Sequence, residues 1–384
     1  MRVTYLDNNA TTRVADEVRE VMLPYFSSLY GNPSSMHLFG GQVHRVIEKA
    51  REKAALLINA EPDEIVFTSC GTESDNTAIM SGLETGRNRR HIITTRVEHP
   101  AVLNFCKSLS RRGFTVTFLP VDKQGKIKPE DIEEAITDET AIVSIMYANN
   151  ETGVIFPMKE VAEIVKSKGV LLHTDAVQAI GKLPVDVKDL PVDMISISGH
   201  KMHAPKGIGA LYIRKGTRFS PYIIGGHQER GKRAGTENVA SIAGLGAACE
   251  LAREEMMAEN TKVSSLRDKL ENGLLKSCPD VRVNGDTENR LPNTANISFE
   301  FVEGEAILLR LNEFNICASS GSACTSGSLE PSHVLRAMGV PYTAIHGSIR
   351  FSLSRYTTDE DVDIVLERLP GIITELRTMS PYGK

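Results

Sequence analysis

Between about residues 65 and 215 the chain alternates short β-branched apolar runs with amphipathic helical stretches. The runs at residues 65–68, 91–95, 115–121, 141–147, 170–174, 193–198 and 210–214 predict strands. Helices are predicted between several of them, as at residues 158–167, where Pro157 stands at the start and Gly169 just past the end. Such alternation specifies an α/β fold, a mostly parallel seven-stranded sheet covered on both faces, with functional residues collected at strand ends.

The pattern changes after a glycine-rich stretch at 225–235. A polar, helix-favouring segment runs through 250–276, then strands are predicted at 295–301 and 348–353 and helices at 303–312 and 358–376. This predicts a smaller α+β domain. We place a large domain at residues 15–255, with the small domain made of residues 1–14 and 256–384.

Composition narrows the function. With 384 residues, 41% of them hydrophobic, the chain can bury a sizeable core. A formal net charge of -5 offers no basic field for nucleic acid or an anionic membrane, and Arg230-Gly231-Lys232-Arg233 is too short to form a groove. The N-terminus lacks a secretory pattern and no run of 18 apolar residues occurs, so a cytoplasmic protein is expected. Six cysteines, at 70, 106, 249, 278, 317 and 324, form no C-x-x-C pair and signal neither a dedicated metal site nor a disulfide framework. Cys106, Cys249 and Cys278 lie in helix-like segments and read as buried, inert thiols, and Cys317 as a buried strand residue.

The candidate chemistry centres on Ser198-Gly199-His200-Lys201. Ser198 and His200 share one strand parity and could share one anion, while the amine of Lys201 could condense with an aldehyde held beside it. Lys206, between Pro205 and Gly207, reads as a solvated turn lysine. Gly71-Thr72 opens a helix predicted over residues 73–81; there Thr72 is either part of a phosphate site or simply an N-cap. Asp175 ends a strand, where a carboxylate needs a cation or donor, such as a protonated pyridine nitrogen, or else caps a following helix. Gln178 lies a turn further on. His99 could stack on a flat ring and exchange protons near neutral pH, or begin a helix before Pro100, and Asn149-Asn150 could serve the site or form a turn.

A second chemistry is carried by Cys324. The run from Ser319 to Ser328 has no large apolar side chain to anchor it, so it reads either as a tether that lets a thiol travel or as a linker with an incidental cysteine. Arg350, in a predicted strand, could clamp a carboxylate in bidentate fashion, whereas Arg336 and Arg355 read as surface or ion-pairing groups.

Several segments together resemble the cysteine desulfurases, the NifS/IscS group of fold-type I pyridoxal-phosphate enzymes, over essentially the whole chain. They are Tyr5-Leu6-Asp7-Asn8-Asn9-Ala10-Thr11-Thr12, residues 68–76, Val97-Glu98-His99-Pro100, and residues 148–153, 173–178, 198–201, 233–238 and 319–332. The resemblance implies that Lys201 carries the pyridoxal 5'-phosphate, His99 stacks on its ring, Asp175 meets the pyridine nitrogen, and Asn150 and Gln178 address its polar edge. It implies a phosphate held by Gly71, Thr72, Ser198 and His200, joined by Thr236 from the partner subunit of a homodimer. Asn8, Ala10, Thr11, Asn150 and Arg350 then bind L-cysteine, and Cys324 accepts its sulfur, passes it to an iron-sulfur scaffold protein, and is a transient iron-sulfur ligand. The phrases Cys70-Gly71-Thr72, Arg233-Ala234-Gly235-Thr236 and Thr325-Ser326-Gly327-Ser328 are more similar to the nitrogen-fixation branch than to the housekeeping one. An aminotransferase or β-lyase on the same fold would need the lysine and aspartate but no cysteine, and a sulfur carrier or iron-sulfur scaffold would need only the cysteines.

Overall fold

A computed structural model describes residues 2–320 and 331–380. Its strands are β1 (Thr4–Tyr5), β2 (Ile65–Thr68), β3 (His91–Thr95), β4 (Thr115–Leu119), β5 (Thr140–Ser144), β6 (Leu171–Asp175), β7 (Met194–Ser198), β8 (Gly209–Ile213), β9 (Val281–Val283), β10 (Thr294–Phe299), β11 (Ile316–Cys317) and β12 (Ser348–Ser352). β2 to β8 form one seven-stranded sheet in the order β2-β8-β7-β6-β5-β3-β4. Only β8 runs against its neighbours. All the strands expected between 65 and 214 are present, displaced by a few residues at most at either end.

Helices cover both faces of this sheet. One apolar core holds Ile47, Phe67, Val143, Ile195 and Leu245; the other, on the opposite face, holds Val66, Ile79, Ile92, Leu109 and Leu211. Neighbours along a strand, such as Val66 and Phe67, enter different cores, as side-chain alternation requires.

A third core lies in the smaller unit, among Leu6, Leu270, Phe299, Ile349, Phe351 and Val365. β9, β10 and β12 form an antiparallel sheet, and β1 pairs in parallel with β11. Single bridges from Asp7 to Ser352 and from Ser319 to Arg350 tie both pieces together. The N-terminal segment therefore runs beside β12.

Helix Val239–Ser277 joins the two units. Its first half contributes Ile242, Leu245 and Met256 to the large core, and its second half Val263, Leu266 and Leu270 to the small one. It begins before residue 250, where the apolar spacing first reads as helical, because its opening turns are built from Ala and Gly. Those small residues permit close approach: a Cβ on Gly246 would stand 2.7 Å from Ala50 Cα, in helix Leu38–Leu57. Among the described residues no helix is long and apolar enough to cross a membrane.

Candidate active site

The ends of β6 and β7 bring the central residues together. Asp175 closes β6, is buried, and accepts the Val177 N–H at 2.9 Å. No helix follows it; residues 176–180 make a single turn, so its carboxylate is not a helix cap. Gln178, in that turn, donates through Nε2 to the Asn9 carbonyl at 3.0 Å, and its Oε1 is buried without a partner.

β7 ends at Ser198, after which Gly199–Lys201 forms one 3-10 turn. The strand parity expected to pair Ser198 with His200 therefore stops at Ser198. His200 Nδ1 instead meets Thr11 Oγ1 at 3.2 Å, and Lys201 Nζ donates to the carbonyls of Asn9 and Ala10 at 2.6 Å each. Burial, with Lys201 nearby, pushes the His200 imidazole down to about 4. Lys206 lies exposed in a turn, as its Pro-Lys-Gly setting predicts.

Helix Gly71–Thr85 begins two residues before the predicted start, with Cys70 rather than Thr72 at its N-cap and no side chain capping it. Its first intrahelical bond is from Ser74 N–H to the Cys70 carbonyl, so the amides of Gly71, Thr72 and Glu73 precede the helical ladder. Beside them the Ser198 hydroxyl is buried with no hydrogen-bond partner. A Cβ on Gly71 would stand 2.9 Å from Val177 Cγ2 and 3.4 Å from Ser198 Cβ, so only glycine leaves the approach open. Unpaired amides at a helix N-terminus with an unsatisfied hydroxyl alongside suit an anion with several oxygens. Thr236 is exposed, three residues after Arg233, whose Nε lies 2.9 Å from Glu73 Oε1 in the first turn of that helix.

His99 is indeed the N-cap of helix Pro100–Arg111, its Nδ1 accepting the Ala101 N–H at 3.2 Å. Burial first, and then Lys201, His333 and Arg350, push its imidazole down to about 4, which corrects the expected titration near neutral pH. The ring is neutral at pH 7 and its proton sits on Nε2. Asn149 is the turn former, its Oδ1 accepting the amides of Glu151 and Thr152, whereas Asn150 offers its carbonyl to Asn9 and Arg350.

Arg350 is buried on β12, donating to the Asn150 carbonyl at 3.0 Å and to Asp7 Oδ1 at 2.7 Å, while its Nε is buried without a partner. Asn8 secures this corner by donating to the carbonyls of Ser352 and Tyr5. Arg355 pairs with Glu255 at the surface. Cys106, Cys249 and Cys278 are buried as expected, but Cys317, on the short strand β11, is only half-buried. Cys324 lies outside the described residues. The residues on either side of it are held at the site: Ser319 exchanges backbone hydrogen bonds with Arg350, Ser332 donates to Glu151 at 2.5 Å, and His333 Nε2 reaches the Glu98 carbonyl at 2.9 Å.

Sequence reasoning missed a buried polar layer near Asp175. It comprises Asp75, Glu98 and His173, whose ring lies 2.9 Å from both Ser144 and Ser196 hydroxyls. The unusual polar density of Glu73-Ser74-Asp75-Asn76 on a helix packed against the sheet was the one available signal.

The fold and this arrangement of lysine, aspartate and helix terminus define a chain of the class-V aminotransferase family, whose model matches residues 4–365. Within it the chain belongs with the cysteine desulfurases. It is 59% identical over 383 residues to the cysteine desulfurase NifS of Azotobacter vinelandii, spanning 100% of this chain and 95% of that one. A cysteine desulfurase of Trichormus azollae is 59% identical over 382 residues, with 100% and 96% covered. A solved NifS-like protein superposes with a TM-score of 0.92 at 44% identity, covering 98% of this chain and 100% of its own.

Proposed function

We propose that this chain is a cysteine desulfurase that uses pyridoxal 5'-phosphate to take sulfur from L-cysteine, yielding L-alanine and a persulfide on Cys324. The observation that carries the reading is the buried, unpartnered Ser198 hydroxyl between the open N-terminus of helix Gly71–Thr85 and the turn bearing Lys201. The residues present fit the cofactor: Gly71, Thr72, Ser198 and His200 for the phosphate, Asp175 for the pyridine nitrogen, Gln178 and Asn150 for the polar edge, and His99 for the ring face. Thr236 joins the phosphate from the partner of a homodimer.

Pyridoxal phosphate, when bound, supplies an electron-withdrawing ring that makes the α-proton and β-sulfur of an attached amino acid labile. The protein's own groups do the rest. Asp175, as an anion, would keep a pyridine nitrogen protonated. Lys201 would hold the cofactor through Nζ and could move protons at that atom; the Asn9 and Ala10 carbonyls keep the nitrogen directed. His99 offers a proton from Nε2, and Arg350 orients the substrate carboxylate.

Sulfur transfer is balanced without an outside oxidant. The Cys324 thiolate attacks the substrate sulfur, the S–S bond forms as the substrate C–S bond breaks, and the carbon takes up a proton to become alanine. Ser319 lies five positions before Cys324 and bonds to the backbone of Arg350. Five residues extend at most about 17–18 Å at roughly 3.3–3.6 Å each, which bounds how far the Cys324 thiol can lie from that bond.

The persulfide sulfur then passes to an iron-sulfur scaffold protein in the cytoplasm, in a role linked to nitrogen fixation, with Cys324 a transient iron-sulfur ligand during the handover. Cys324→Ala tests the reading: it should keep the absorbance of the bound cofactor and still bind L-cysteine but release no sulfide. Sulfide release at the wild-type rate by that variant contradicts it, as does a purified protein that stays colourless when supplied with the cofactor.

A further inference from the structure

Two more carboxyl groups are buried near enough to Asp175 for its charge to act on them. Asp75 projects from helix Gly71–Thr85, and Glu98 follows β3, one residue before His99. Among the described residues, neither has a Lys or Arg within ion-pair distance. Three adjacent carboxylates, all charged and only one near a cation, would be prohibitively costly in such an environment.

The hydrogen bonds show how the cost is avoided. Both donors that reach Glu98, the Thr95 hydroxyl at 2.8 Å and the Met146 N–H at 3.1 Å, go to Oε1, and Oε2 is buried with no partner. That asymmetry suits a carboxylic acid, whose carbonyl oxygen accepts and whose hydroxyl oxygen does not. On Asp75, Oδ1 is likewise buried without a hydrogen-bond partner. Its nearest ring nitrogen, His173 Nε2, is 3.6 Å away and already engaged by Ser196.

We propose that Asp75 and Glu98 are positioning residues that stand near Asp175 as proton-carrying acids, leaving Asp175 the single anionic carboxylate of the three. The floor of the pocket then presents one negative charge, matched to one protonated pyridine nitrogen. The link to a bound pyridine rests on the proposed function; the protonation of the two acids does not.

The surrounding groups agree. Burial, and then the Asp175 charge and Glu98, raise Asp75 well above the carboxylate range, against a lowering by Ser196. Burial raises Glu98 to about 8, opposed by its donors Thr95 and Met146 and reinforced by Asp175. Asp175 is raised to about 6 by burial but is lowered by the Val177 amide and by the charge of Lys201. His173 cannot compensate, because burial holds its imidazole at about 3. The Cys106 thiol on the neighbouring helix is pushed to about 12 by burial, then by Glu98 and Asp75, so it adds no charge.

Infrared spectroscopy of the full chain at pH 7, with and without pyridoxal phosphate, tests this directly. Wild type should show carbonyl stretching bands of buried protonated acids; Glu98→Gln should lose one, Asp75→Asn another, and Asp175→Asn neither. In wild type alone, a step from pH 7 to pH 9 should bleach the Glu98 band, which keeps the test decisive should a variant not fold. Visible absorbance of the cofactor-loaded Glu98→Gln protein should keep its wild-type pH midpoint, since a neutral group replaces a neutral group. Absence of protonated-acid bands in wild type, or their persistence in both variants, overturns the proposal. Intact bands in a protein that never acquires cofactor absorbance would instead count against the proposed function.

Discussion

Arg350 Nη2 lies 2.7 Å from Asp7 Oδ1, so the arginine best placed to bind a substrate carboxylate is held by a carboxylate of the protein. Asp7 is partly exposed and Arg350 is not, with side-chain exposures of 19% and 3%. The pair keeps a buried cation compensated and fixes the plane of the guanidinium before substrate arrives. An incoming carboxylate has the unpartnered Nε edge to occupy, beside the Asn150 carbonyl that already holds Nη1.

Arg350→Ala should therefore raise KM for L-cysteine by about 10-fold to 100-fold, the equivalent of losing a charge-assisted hydrogen-bond pair of about 1.5–3 kcal/mol. Arg350→Lys should restore only part of it, because an ammonium lacks the planar fork. Steady-state kinetics check this; an unchanged KM in the alanine variant would remove Arg350 from the substrate site.

Gly71→Ala places a methyl group 2.9 Å from Val177 Cγ2 at the mouth of the phosphate cradle. Crowding of that kind costs about 1–3 kcal/mol in a packed site. Affinity for pyridoxal phosphate, measured by fluorescence or dialysis, should fall about 10-fold or more while circular dichroism stays native. Wild-type affinity would show that the cradle does not hold the phosphate.

His99 carries the pH dependence most open to test. The unfolded ring binds a proton below about 6.5, whereas the folded ring stays neutral until about 4. The unfolded state thus holds the extra proton across that window, and the histidine's contribution to stability, complete above pH 6.5, is lost as pH falls towards 4. Each unit within the window removes about 1.4 kcal/mol. The stability of wild type relative to His99→Gln should drop by about 2 kcal/mol between pH 7 and pH 5. Nitrogen NMR of the wild-type ring should show the neutral Nε2–H form at pH 6, and an imidazolium there would contradict the assignment.

The large sheet was legible in the sequence because its strands are short β-branched runs separated by helices long enough to cross over, and helix Met158–Ser167 was bounded by its flanking Pro157 and Gly169. The opening turns of Val239–Ser277 were not, since Ala and Gly positions chosen for close contact carry no apolar period. Lys201, Asp175 and Gly71 could be read because they sit at strand ends or helix starts. The pairing of Asp7 with Arg350 spans 343 positions and is created by the bridge between Asp7 and Ser352, a register that no local pattern encodes. The acids near Asp175 were hidden for a related reason: on a helix, Asp75 reads as a solvated residue until packing turns it inward.

Mass spectrometry of the protein after brief incubation with L-cysteine and pyridoxal phosphate tests the central claim most directly. The wild-type peptide containing Cys324 should gain one sulfur atom, alanine should appear in matching amount, and Lys201→Ala should show neither. A sulfur atom on a different cysteine, or alanine formed at the wild-type rate by Cys324→Ala, would contradict the account.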